Sequence, residues 1–219
     1  MAAAAVLTLS ACGSSTGNNE KTTENTTAMK GKYQKKYTNA DFYKDGVLQE
    51  DVVKAAYKDM MAFYGVEWSD NLENNFWGID FGLGDMEHVG MGGIFWYNDP
   101  VNGYFGHEIY LLPGQMIPEH WHVKTEYPAK HETWRVNKGW CYNFGIGDPT
   151  PNPPAMPESQ EGNITVKNFT IQKLDEILSL KEIESPHFLM AGDEGAIVTE
   201  YGTYHDGAGL RLRNPKAKM

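Results

Sequence analysis

At 219 residues, with hydrophobic side chains at 41% and aromatics at 12%, the chain can bury one sizeable core, and global disorder is excluded. The formal net charge is −10 and no run of Lys or Arg could track a phosphate backbone, which argues against nucleic acid as a partner. The body of the chain has no unbroken apolar stretch of the roughly 18 residues that a spanning helix needs.

In chain order, the first feature is the apolar run AVLTLSAC, which closes on Leu9-Ser10-Ala11-Cys12. It resembles a bacterial lipoprotein signal over residues 1–12 ending at a lipobox Cys, in which Cys12 would be lipidated and become the mature N-terminus after cleavage, although no Lys or Arg precedes the apolar run. The expectation is an extracytoplasmic protein anchored to a membrane by lipid on Cys12, or a cytoplasmic one if the segment is not a signal. Residues 13–32 begin GSSTGNNEKTTENTT, which is linker composition, and the globular domain is expected over 33–219. Between Gln49 and Tyr64 the residues Val52, Val53, Ala56, Tyr57, Met60, Met61 and Tyr64 share one helical face, with acidic residues in the first turn and Gly65 placed to end it. One amphipathic helix is expected there, its Met and Tyr stripe serving as core.

Beyond Trp77 the texture changes to strand-length runs separated by Gly, Pro, Asn and Asp. They read GGIFWYND, HEIYLLPG, TWRVNKG, WCYNFGIG, NITVKNFTI and AIVTEYG. Short, evenly spaced strands with turn signals argue for an antiparallel barrel or sandwich. The segment 147–163 carries five prolines and must leave the ladder, while KLDEILSL at 173–180 reads as a short helical turn or two. Cys141, in WCYNF, reads as a small buried hydrophobe.

The candidate chemistry centres on GQMIPEHWH, 114–122. In a strand, residues two apart point the same way, so His120 and His122 can present two imidazoles to one ion. Gly114, five residues, His-x-His, a spacer, a glutamate, six residues and a glycine form a pattern that resembles the first cupin motif. Two glutamates compete. Glu126 has the common spacer of three but Thr133 seven places on, whereas Glu132 has a spacer of nine and Gly139 seven places on, in the hairpin-like VNKGW. The glycine favours Glu132, and the adjacent His131 would then point to the opposite face. His187, in SPHFLMAG, is the expected fourth ligand, with His205 its rival. His88 and His107 have no ligand-like spacing and read as structural. Three imidazoles and one carboxylate suit divalent Mn, Fe, Co, Ni or Zn, with Mn the default for sugar hydroxyls.

WGIDFGLGDMEHVGMGGIFWYND, PGQMIPEHWH and SPHFLMAGDEGAIVTEYGT together resemble the D-lyxose isomerase family of cupins, over about Val52 to Pro215. The resemblance implies an all-β cupin, a double-stranded β-helix or jelly-roll barrel with an N-terminal helix, and ligands at His120, His122, Glu132 and His187. It also implies a homodimer, manganese, and interconversion of D-lyxose with D-xylulose and of D-mannose with D-fructose. Such a reaction moves a proton between C1 and C2 through a cis-enediol and needs a positioned base and acid. Glu200, ending AIVTE, or Lys130, two residues before Glu132, is the expected base, a nearby cation favouring neutral lysine. Asp206 is a further candidate for sugar hydroxyls, and Trp121, Trp134, Trp140 and Tyr142 offer faces for sugar C–H groups. Two other readings stay open: a metal-dependent cupin dioxygenase, which would need an apolar oxygen pocket, and a surface-tethered sugar-binding lipoprotein without turnover.

Overall fold

The computed structural model describes residues 31–219. The expected signal, with Cys12, and nearly all of the expected linker lie outside the described residues. Lys32–Met219 forms a compact unit. It opens with a short helix α1 (Asn39–Phe42) and a hairpin of β1 (Tyr43–Lys44) with β2 (Val47–Leu48). The expected helix follows as α2 (Glu50–Phe63), with Glu50 and Asp51 favourably placed at its positive end. Its buried Val53, Ala56, Tyr57, Met60 and Met61 follow the helical period, and Gly65 ends it at φ +67°. Burying that stripe contributes on the order of 10 kcal/mol at most. A short helix α3 (Asp70–Asn75), capped by the Ser69 hydroxyl, completes the helical layer.

The rest is antiparallel ladder: β3 (Trp77–Ile79), β4 (Met91–Asp99), β5 (Tyr104–Leu111), β6 (His120–His122), β7 (Glu132–Gly145), β8 (Asn168–Gln172), β9 (Ile177–Ser179), β10 (Phe188–Thr203) and β11 (Leu210–Leu212). The main sheet runs β3-β4-β5-β10-β7-β8, with β9 pairing the first turnless stretch of β7, while β11 and β6 pair separately. An isolated bridge between His120 and His187 joins β6 to the chain entering β10. The long strands β7 and β10 pass from one layer to the other, which closes the expected jelly roll. α2 packs with Ile94, Tyr110 and Ile197 in one core, and a second core around Ile109, Leu111, Val136 and Val198 lies between the layers. Among the described residues no helix is long and apolar enough to cross a membrane.

Two local expectations are corrected. TWRVNKG and WCYNFGIG are one strand, not two, because Gly139 bends β7 rather than reversing it. Gly139 (φ +64°) pairs with Ala196, beside the break in register where Gly195 has φ +78°, and a Cβ on Gly139 would lie 2.0 Å from the Gly195 carbonyl oxygen. Both strands therefore turn the barrel corner together at glycine. KLDEILSL is a turn followed by strand, not helix. Asp175 adopts φ +63°, the Glu176 carboxylate accepts the Lys173 N–H, and the chain returns along β7 as β9. The proline segment leaves the ladder as expected, and the chain beyond it is held to the barrel by Glu119. That fully buried carboxylate accepts from Thr165, from the Val166 N–H and from Arg213.

Candidate metal centre

Gly114, at φ +72°, turns the chain toward β6, and Glu119 anchors that strand from its outer side. His120 and His187 are reciprocal backbone partners, each donating its N–H to the other's carbonyl at 3.1 and 2.9 Å. Their side chains therefore rise together, with ring centres 4.4 Å apart, and His122 follows two residues along β6. Glu132, the first residue of β7, faces them. One ligating atom from each of His120, His122, Glu132 and His187 lies within 4.8 Å of the others. His122, Glu132 and His187 are buried and His120 is half-buried. Glu126 is exposed, and the His131 ring turns away to the Leu180 carbonyl at 3.2 Å.

The donor set fits a divalent ion. A carbonyl oxygen only accepts, so the Pro118 and Ser185 carbonyls, each 2.9 Å from an imidazole Nδ1, fix His120 and His187 as Nδ1–H tautomers. Their Nε2 lone pairs then point inward. Nε2 of His187 lies 2.9 Å from Oε2 of Glu132, yet both atoms lack a hydrogen bond and both are buried. Two acceptors aimed at one point in a dry site are what a cation would satisfy. Burial, and then the neighbouring His187 and His122, hold His120 well below the ordinary imidazole range. Burial would also lower His187, but the Glu132 carboxylate reverses this and raises it.

Beside the donor set lies a second buried cluster. Lys130 donates to Glu132 Oε1 at 2.9 Å and to Glu200, and its ammonium sits 4.2 Å from the centre of the Phe105 ring. Glu200 stands on β10, and its other oxygen is 3.5 Å from Nδ1 of His107 on β5. Neutral Lys130, expected from the cation alone, is not the form these neighbours favour. Burial would lower its pKa, but the carboxylates of Glu132 and Glu200 outweigh burial and raise it. Burial likewise opposes ionised Glu200, and Lys130 more than compensates, so that carboxyl is held below its usual range.

All of these groups line one cavity of about 60 Å³ whose remaining walls include Trp77, Phe95, Phe105, Ile109 and Leu189. Two further histidines line it: His107, which reads as structural in the sequence, and His205, the rival of His187 for the fourth ligand. His107 lies directly across the ladder from Glu200, a register between distant strands that spacing does not reveal. The inward alternation of His107, Ile109 and Leu111 was the only signal in the sequence. His205 packs on Phe105 with ring centres 5.5 Å apart and lies 5.6 Å from the His122 ring, outside the four-residue donor group. Burial, then Lys130, push its pKa down to about 3. Asp206, expected at the sugar, is absent from the cavity wall. Its carboxylate accepts from the Thr125 hydroxyl and the Ala208 N–H, which fixes the turn into β11. Of the four candidate aromatics only Trp134 reaches the cavity. Trp121 lies under Arg213, and Trp140 packs on Tyr142. Cys141 is a buried free thiol, its pKa pushed up to about 12 by burial.

No family model matches the chain. Among solved structures, L-ribose isomerase of Acinetobacter sp. DL28 in complex with L-ribose superposes with a TM-score of 0.62 over 84% of this chain and 95% of that one, at 15% identity. L-ribose isomerase of Cellulomonas parahominis without ligand gives 0.61 over 77% and 92%, also at 15%. At that identity the likeness establishes the fold alone. Curated sequences reach further. The D-lyxose ketol-isomerase of Thermofilum sp. is 35% identical over 126 residues, 57% of this chain and 68% of that one. The D-lyxose/D-mannose isomerase of Thermosediminibacter oceani is 33% identical over 173 residues, 78% of this chain and 91% of that one. The chain belongs to the D-lyxose ketol-isomerase family of aldose–ketose isomerases.

Proposed function

We propose that the protein is a metal-dependent isomerase that interconverts D-lyxose with D-xylulose, and D-mannose with D-fructose, through a cis-enediol. The observation that carries the proposal is a buried carboxylate, Glu200, that is not one of the four donors and opens onto the same cavity. The relatives named as D-lyxose isomerases support the substrate class. His120, His122, Glu132 and His187 would hold a divalent ion, with Mn2+ the reading that fits sugar oxygens. When bound, that ion supplies Lewis-acid polarisation of the two substrate oxygens.

Glu200 is the base. Its carboxylate takes the C2 proton of the aldose; the C–H electron pair becomes the C1–C2 double bond, and the C1 oxygen gains a proton. Loss of the O2 proton and delivery of a proton to C1 then complete the ketose, so atoms balance without an external reactant. Lys130 keeps Glu200 ionised and oriented through its ammonium. Among the described residues Lys130 is the only Lys or Arg on the cavity wall, and it is already engaged by two carboxylates, so these residues offer no clamp for a sugar phosphate. A dioxygenase reading leaves the buried Lys130–Glu200 pair without a role. Glu200→Gln is expected to lower kcat on D-lyxose by about 10²–10⁴-fold with metal content unchanged. Wild-type turnover by that variant would remove Glu200 as the base. The lipid anchor on Cys12 is a separate proposal, checked by mass spectrometry for acylated Cys12 in membrane fractions; a chain recovered with unmodified Cys12 would contradict it.

A further inference from the structure

His107 is buried to 4% exposure in a box of rings. It stacks on Trp77 at 5.5 Å and 25°, meets Phe95 edge-on at 4.9 Å, and lies 5.6 Å from Phe105. The box exists because β4 carries Gly93 at this level. A Cβ there would lie 2.5 Å from Nε2 of His107 and 2.6 Å from Trp77, so no larger residue leaves room for both rings. Nε2 consequently faces backbone and has no hydrogen-bond partner, whereas Nδ1 looks at Glu200 Oε2. With Lys130 on Oε1, Glu200 is gripped at both oxygens, one from the loop before β7 and one from β5.

We propose that His107 is a positioning residue that donates Nδ1–H to Glu200 and holds its carboxylate in line for proton transfer. The inference rests on the assignment of Glu200 as base. Only a donor can face an ionised carboxylate without cost, and the ring cannot swing, because Trp77 and Phe95 pack its faces and edge. The 3.5 Å separation is the long end of hydrogen bonding, and such contacts shorten when substrate binds. Across the ladder, Glu200 and His107 are direct Cα partners, so no other side chain can occupy this role from β5.

A histidine kept only for packing makes the opposite prediction for two substitutions. His107→Phe keeps an aromatic ring in the box and removes the donor; His107→Asn shrinks the packing but places an amide N–H close to the position of Nδ1. Positioning predicts that His107→Phe loses about 10–100-fold in kcat on D-lyxose with KM within about twofold, while His107→Asn retains most of kcat despite a lower melting temperature. Packing predicts the reverse order, and that order would overturn the proposal. Metal content measured on both variants guards against an indirect effect through the donor set. A second measurement needs neither variant nor turnover: nitrogen NMR of 15N-histidine-labelled full-length protein should show His107 as the neutral Nδ1–H tautomer. An Nε2–H tautomer contradicts the proposal whatever the activity. If the wild-type protein turns over no aldose, the assignment of Glu200 as base fails, while the tautomer still reports on the hydrogen bond.

Discussion

Glu126 and Glu132 are chemically identical and six residues apart, and the fold makes one a wall of the cavity and the other a surface group. Period-two alternation on β6 and a glycine seven places beyond the glutamate single out His120, His122 and Glu132 in the sequence, and the fold gathers these three side chains into one group. Pro186 before His187 pointed to the fourth donor. Gly139, which favours Glu132 by its spacing, bends the strand rather than ending it. His107 was not legible, because its significance comes from standing opposite Glu200 in a ladder between β5 and β10, which are far apart in sequence. The position of Lys130 two residues before Glu132 puts the two side chains together, but its protonation is not legible locally, because the second carboxylate that holds it charged comes from β10. Elemental analysis of two variants tests the choice of glutamate. Glu132→Gln should lose its metal, at least about tenfold in affinity, while Glu126→Gln keeps it; the reverse pattern would move the site.

At the scale of elements, α2 followed its periodicity to within a residue at each end, because an amphipathic stripe against a sheet and an acidic first turn act in the same direction. The strands were legible as apolar runs, but not where one strand became two. A glycine at φ > 0 serves a hairpin and a barrel corner equally well, and only the partner strand decides. Here Gly195 bends alongside Gly139, which makes the corner. Gly139→Ala should therefore cost about 2–4 kcal/mol in urea unfolding, since it combines a left-handed backbone with a Cβ driven into the Gly195 carbonyl. A change below about 0.5 kcal/mol would show that this corner is not strained by a side chain. The 173–180 segment misled because its apolar residues, Leu174, Ile177, Leu178 and Leu180, fit a helical spacing. The left-handed Asp175 and the open edge of β7 overrode that local preference.

At the scale of the molecule, long-range polar links tie the helical layer and the proline segment to the barrel. Asp85 joins three of these regions, accepting from Asn39 before α2, from His88 and from Ser159 in the proline segment. Burial would raise its pKa, but those three hydrogen bonds outweigh burial and lower it. The unfolded chain thus binds more protons than the folded one between the two pKa values. The stabilisation is fully present above the unfolded value, near 4, and is lost as pH falls through the folded value. Urea midpoints measured from pH 6 down to about 2 should fall less steeply for Asp85→Asn than for wild type. Parallel slopes would show that Asp85 does not carry this acid sensitivity.

The whole-molecule claim is that one cavity unites a metal donor set with a separate buried base for aldose–ketose isomerisation. The most direct measurement is turnover of D-lyxose by the full-length protein, with metal content determined on the same sample and chelator as the control. The account predicts about one equivalent of divalent metal per chain, formation of D-xylulose, loss of activity on chelation and its return with Mn2+. Metal-loaded protein that converts neither D-lyxose nor D-mannose would contradict it.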